Sequence, residues 1–157
     1  MIQPLMKAVR EFNKKHGFPL DQPFGRKDVH TTTLLLSQSK ILRTLSDTAE
    51  AHWRMVGDLR ARSTHLILQE VGELLEALAF GDSLAALDAL ADTTYVVTGC
   101  ALTFDWPLAE ALTEVHRSNM SKSASVDPLH PKGPNFTPPN LQLVLNEYRA
   151  TKAHYNA

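Results

Sequence analysis

Apolar residues recur every three or four positions through most of this chain, and no stretch alternates as a half-buried strand would. After Pro4, which suits a first helical turn, Leu5, Met6, Val9 and Phe12 keep that spacing until Gly17 closes the segment. The Pro and Gly residues over 17–25 make a loop. Asp28 or a following Thr then caps a second helix, whose stripe is Leu34, Leu35, Ile41, Leu42, Leu45, Ala49 and Trp53. Gly57 and Asp58 read as a stop and a new cap. Beyond them Leu66, Leu68, Val71, Leu74, Leu75 and Leu78 run to Gly81, the first strong helix. Asp82 or Ser83 caps the next, which carries Leu84, Leu87, Leu90, Ala91, Tyr95 and Val96 to about Thr103. Two helices joined by so short a turn must lie antiparallel. Asp105 with Pro107 opens another helix through Leu108, Leu112 and Val115, ending near Asn119. Pro128, Pro131, Pro134, Pro138 and Pro139 exclude regular structure from a loop at 123–140. Leu141, Leu143, Val144, Leu145 and Tyr148 then give a terminal helix whose end, 152–157, is expected to fray. The pattern is that of an all-α bundle.

Length adds the domain count: 157 residues with 43% apolar fit one domain with a core of its own. No run approaches the roughly 18 apolar residues that span a bilayer. The N-terminus lacks the basic and apolar regions of a secretory signal. The lone Cys100 lies in an apolar run, so a reduced, buried thiol in a cytoplasmic protein is expected, in the host cytoplasm if the protein is viral.

Charge changes the picture more. A net charge of −1 argues against a binder of nucleic-acid polymers or anionic membranes. Yet residues 1–64 hold 11 Lys or Arg against 6 acids, whereas residues 65–114 hold nine acids and no Lys or Arg. Glu70 and Glu73 are three apart, about 60° around a helix axis, and Asp88 and Asp92 are four apart, about 40°. Antiparallel packing brings the two pairs together. Like charges about 4 Å apart repel by roughly 4 kcal/mol at an effective dielectric near 20, so the cluster needs cations or must take up protons. Oxygen-only ligands select hard ions, Mg2+ or Mn2+. For any single pair, plain surface decoration is the better reading; two pairs on adjacent helices without a basic residue on either weaken it. Glu76 fits a solvated or supporting role, and Asp82, Asp105, Glu110 and Glu114 fit caps or surface charges.

Glu70-x-x-Glu73, the Gly-Asp turn, DALADTTYVV (88–97), HRSNMSK (116–122) and PKGPNFTPPNL (131–141) together resemble the all-α nucleoside triphosphate pyrophosphohydrolases of the MazG and phosphoribosyl-ATP pyrophosphohydrolase superfamily. The resemblance spans nearly everything except about 28–57, an extra helical segment, and its loop looks closest to the phage branch called MazZ. In that family two Glu three apart are followed by a Glu and an Asp three apart. Glu70, Glu73 and Asp92 match, Ala89 stands at the second-pair Glu, and Asp88 is its possible replacement.

The resemblance implies a MazG-like domain over 1–157 that cleaves between the α and β phosphorus atoms with Mg2+, releasing a nucleoside monophosphate and pyrophosphate. Its phage branch implies dGTP and GTP as substrates, in synthesis of 2-aminoadenine DNA. Glu70, Glu73, Asp88 and Asp92 are the expected metal ligands. Glu70, Glu73 and Asp92 are the expected catalytic acids, with ligand and general base not separated. Arg117, Lys122 and Lys132 are candidate phosphate-binding cations, the two lysines favoured because they fall inside the matching motifs, and Asn119 is a candidate for sugar or base. His65 and His116 read as ordinary partly buried histidines, and Trp53, Trp106 and Phe136 as packing before base stacking. Broad apolar faces and the family habit imply a homo-oligomer, a dimer or a tetramer. The competing readings are a pyrophosphohydrolase of another specificity (dCTP, dUTP, damaged nucleotides or phosphoribosyl-ATP) and a non-catalytic metal-binding helical oligomer.

Overall fold

The computed structural model describes residues 2–25, 28–123 and 132–155. The expectations placed on Pro128, Leu129 and Pro131 lie outside them. Six helices follow in order: α1 (Gln3–His16), α2 (Val29–Val56), α3 (Leu59–Phe80), α4 (Ser83–Thr103), α5 (Leu108–Met120) and α6 (Leu141–Tyr155), with no strand among the described residues. They fall into two compact units. One, residues 23–105, holds α2, α3 and α4; the other, residues 1–22 with 106–157, holds α1, α5 and α6.

The caps explain the helix ends. Asp28, Asp58 and Asp82 each take a backbone N–H of the following first turn on their side chains, starting α2, α3 and α4. Gly17, Gly57 and Gly81 take left-handed φ values of 69°, 72° and 67°, so each stops a helix where a residue with a Cβ would be strained. Asp105 differs from the expectation. It has a φ of 55°, so the acid is itself the left-handed turn residue between α4 and α5 rather than a cap, and α5 begins after Pro107 with no side-chain cap.

α2 is bound to α3 along its length by hydroxyls at heptad intervals. Thr32 Oγ1 donates to the Ala79 carbonyl (3.3 Å), Ser39 Oγ to Gly72 (2.9 Å) and Ser46 Oγ to His65 (2.9 Å). Each step of seven up one helix is a step of seven down the other, which fixes an antiparallel register. Small residues make this closeness possible. The buried apolar residues described are Ala77, Ala79, Ala86, Ala89 and Ala101, joined by Ser39, Ser46, Ser63 and Ser118. Cys100 is half-buried rather than buried, while the next residue, Ala101, is the one turned into the core. In the other unit α5 packs on both α1 and α6.

Candidate active site

Gly81 and Asp82 fold α4 back on α3. Asp82 accepts from the N–H groups of Leu84 and Ala85, both at 3.0 Å, which sets the first turn of α4 and the rotation of every side chain after it. Ala86 and Ala89 are buried, whereas Asp88 and Asp92, on the turns beside them, are exposed. Glu70 is half-buried, and its carboxyl is pushed above the ordinary range, first by burial and then by the charges of Glu73, Asp92 and Asp88. The charges of the other three acids are thus felt at Glu70. No Lys, Arg or His among the described residues forms an ion pair with any of the four.

The donor set suits a hard cation: carboxylate oxygens only, mutually repelling and uncompensated. It is not drawn into a closed cage, for among the described residues no three His, Cys, Asp or Glu side chains stand close enough to hold an ion together. Ala89 is only 5% exposed, so a longer acidic side chain there would have to enter the seam. Asp88, next to it, is exposed. Glu76 is occupied by the Arg43 guanidinium of α2, and Gln69 Nε2 donates to Glu73 Oε1 at 3.3 Å.

The unit of α1, α5 and α6 gathers the other candidates. Arg117 grips Glu114 with two nitrogens (2.7 and 2.8 Å) and reaches Thr137 Oγ1 (2.8 Å) and the Pro138 carbonyl (3.1 Å). Glu114 also accepts the Asn140 N–H (2.7 Å), so this pair clips the loop before α6 to α5. Lys122 Nζ stands 5.7 Å over the Phe12 ring and Lys132 Nζ 5.2 Å over Phe136. Their segments touch, because a Cβ built at Gly133 would fall 2.2 Å from Ser123 Oγ. Asn119 is tied to Lys122 through its carbonyl, which accepts the Lys122 N–H at 3.1 Å. His65 and His116 make ordinary contacts, with Ser46 and with Glu11. Trp53 lies between the Arg54 and Arg62 guanidinium groups, and Trp106 is half exposed.

The clip has a measurable acid signature. Arg117 first, and the Asn140 N–H second, hold the Glu114 carboxyl at about 2, whereas in the unfolded chain it titrates near about 4.3. A depressed native value stabilises the fold above the unfolded value, and that contribution is lost as the pH falls toward 2. Thermal melts at pH 5 and pH 3 should therefore show a larger acid loss for the natural chain than for Glu114→Gln. Parallel losses would remove the clip from the stability of this unit.

Reading along the chain missed Arg43, Asp47 and Gln69, which line the α2–α3 side of Glu73. The available signal was the spacing of Arg43, Asp47 and Glu50 on one face of α2, but nothing in α2 alone says which helix that face meets. A family model for phosphoribosyl-ATP pyrophosphohydrolase matches residues 40–119, just over half of the chain. The match opens inside α2 and takes in both acidic pairs. No curated protein and no solved structure matches.

Proposed function

The chain belongs to the phosphoribosyl-ATP pyrophosphohydrolase family, and from that membership we infer a magnesium-dependent nucleoside triphosphate pyrophosphohydrolase that cleaves dGTP and GTP between the α and β phosphorus atoms. Family membership carries the coarse activity, a nucleotide pyrophosphohydrolase. The observation that supports its use here is the Glu70 carboxyl, raised by burial and then by the charges of Glu73, Asp92 and Asp88, with no ion pair to any of the four among the described residues.

In this reading the four acids would hold Mg2+, or Mn2+ in its place. That ion supplies positive charge against the polyphosphate and lowers the pKa of a nearby water. The chain's own groups do the rest. One carboxylate of the set takes the proton of the attacking water. Lys122 and Lys132 as phosphate-binding cations and Asn119 as a sugar or base contact, all on the unit of α1, α5 and α6, are a separate part of the proposal. Arg117, committed to Glu114, acts by shaping the loop that follows Lys132. The bond between the bridging oxygen and phosphorus breaks and pyrophosphate leaves, with the nucleoside monophosphate as the other product.

A homo-oligomer, dimer or tetramer, is part of the same proposal. Along α4 the side away from α3 bears Leu84, Leu87, Tyr95 and Leu102 at 79%, 66%, 80% and 76% exposure, which a second copy would cover. None of the described helices is long and apolar enough to cross a membrane. We place its work in the cytoplasm, in a phage setting that supplies 2-aminoadenine DNA.

A panel of dGTP, GTP, dCTP, dUTP and phosphoribosyl-ATP with Mg2+, scored for pyrophosphate, tests the reading. The guanine nucleotides should turn over fastest, and chelation of the metal should stop the reaction. Release of orthophosphate, or no turnover, would overturn it. Membership of the phosphoribosyl-ATP pyrophosphohydrolase family favours phosphoribosyl-ATP as the second reading, and a clear preference for it in the panel would establish that one instead.

A further inference from the structure

Beside the acids, α2 and α3 enclose a groove of about 370 Å3, in the range of small-molecule sites, lined by Arg43, Asp47, Glu50, His65, Gln69 and Glu73. Its floor is fixed by the hydroxyl ladder: Ser46 Oγ donates to the His65 carbonyl and lies 2.9 Å from His65 Nδ1. Glu73 belongs both to this groove and to the acidic cluster, so whatever fills the groove adjoins the reacting phosphates.

Three of the groove's side chains are carboxylates, Asp47, Glu50 and Glu73, against one guanidinium. Arg43 gives an Nη2 N–H to Glu76, and Glu50 receives Arg54 through Nε (2.9 Å) and Nη2 (2.5 Å). Gln69 turns its amide nitrogen to Glu73, which leaves its Oε1 for a ligand. Asp47 is exposed, and no hydrogen bond or ion pair engages it among the described residues. Three carboxylates against one guanidinium disfavour a phosphate in this groove. They favour a group that presents neighbouring N–H donors.

The geometry points to this groove as the base-reading site, with the two oxygens of Asp47 accepting adjacent ring and exocyclic N–H donors and Gln69 Oε1 assisting. The inference rests on the pyrophosphohydrolase reading above and deepens it. Guanine alone among the common bases carries a ring N–H beside an amino group. Cytosine and adenine set a ring acceptor next to their amino group, and uracil and thymine flank one N–H with carbonyls that Asp47 would repel. A carboxylate takes both guanine donors at once and charges them more strongly than a neutral acceptor would.

The test is kcat/KM for dGTP, dITP and dATP with Mg2+, on the natural protein and on Asp47→Asn and Asp47→Ala. dITP lacks only the 2-amino group. Because Asp47 faces solvent, discrimination should be on the order of tenfold rather than the far larger ratios of buried sites. The natural enzyme should favour dGTP over dITP by that factor, and both variants should bring the ratio near one, with dGTP losing more turnover than dITP, which keeps the ring N–H, while dATP turnover and the melting temperature hold. An unchanged ratio, or an equal loss on every nucleotide, overturns the assignment of the groove in an enzyme that still works. A natural chain that turns over no nucleotide sinks the parent function as well, so the two failures are told apart.

Discussion

Asp92→Asn should cut pyrophosphate release by about a hundredfold or more while the helices and the melting temperature are kept. One electrostatic partner of a phosphoryl-transfer transition state is worth on the order of 10²–10³ in rate, and the substitution removes the charge while sparing the shape. It should not harm the fold. Asp92 is exposed, caps nothing, and adds to the repulsion that raises the carboxyl of half-buried Glu70. Removing that repulsion leaves stability equal or slightly higher. Pyrophosphate assays paired with thermal melts by circular dichroism separate the two effects. Full turnover in the variant would put Asp92 outside the machinery, and an unfolded variant would show that its charge holds the α3–α4 pair together.

The second large effect is structural. Gly72→Leu should lower stability by about 3 kcal/mol, on the order of 10 °C in melting temperature, whereas Gly72→Ala should change it by less than about 1 kcal/mol and in the stabilising direction. A Cβ at Gly72 would meet Leu42 Cβ at 3.7 Å, Arg43 Cγ at 3.8 Å and the Ser39 carbonyl oxygen at 3.8 Å, ordinary contacts that leave room for one methyl and no more. A longer side chain must push α2 away. That breaks the Ser39 hydrogen bond first and strains its neighbours seven residues to either side. Chemical denaturation of the three proteins measures the difference; a Leu variant as stable as the natural chain would mean that the two helices are not held at this distance.

Helix ends were legible because their causes are local. Asp28, Asp58 and Asp82 bond their own first turns, and Gly17, Gly57 and Gly81 stop helices through φ values that other residues avoid. The acidic pairs were legible for the same reason, since spacing within a helix needs only its pitch. What stayed hidden depends on pairing between helices. Ser39 and Ser46 look like polar residues on an amphipathic stripe until Gly72 and His65 are found opposite them. The region 28–57, an addition by resemblance, is an α2 that packs along the length of α3, and the family match begins inside it. Asp47 and Gln69 join one groove only through that register. Arg117 looks free in sequence because its partners Thr137 and Pro138 arrive from a loop twenty residues on.

Lys122 and Lys132 are held by benzene rings, with no carboxylate paired to either among the described residues. A ring quadrupole anchors an ammonium without cancelling it. A ring contact orients an ammonium without supplying a counter-charge, and an unpaired charge acts through about 8 Å of physiological saline. A carboxylate anchor would have produced a dipole that fades within the first layer of water. A cation tethered to hydrocarbon is thus held without a counter-charge that an incoming anion would have to displace.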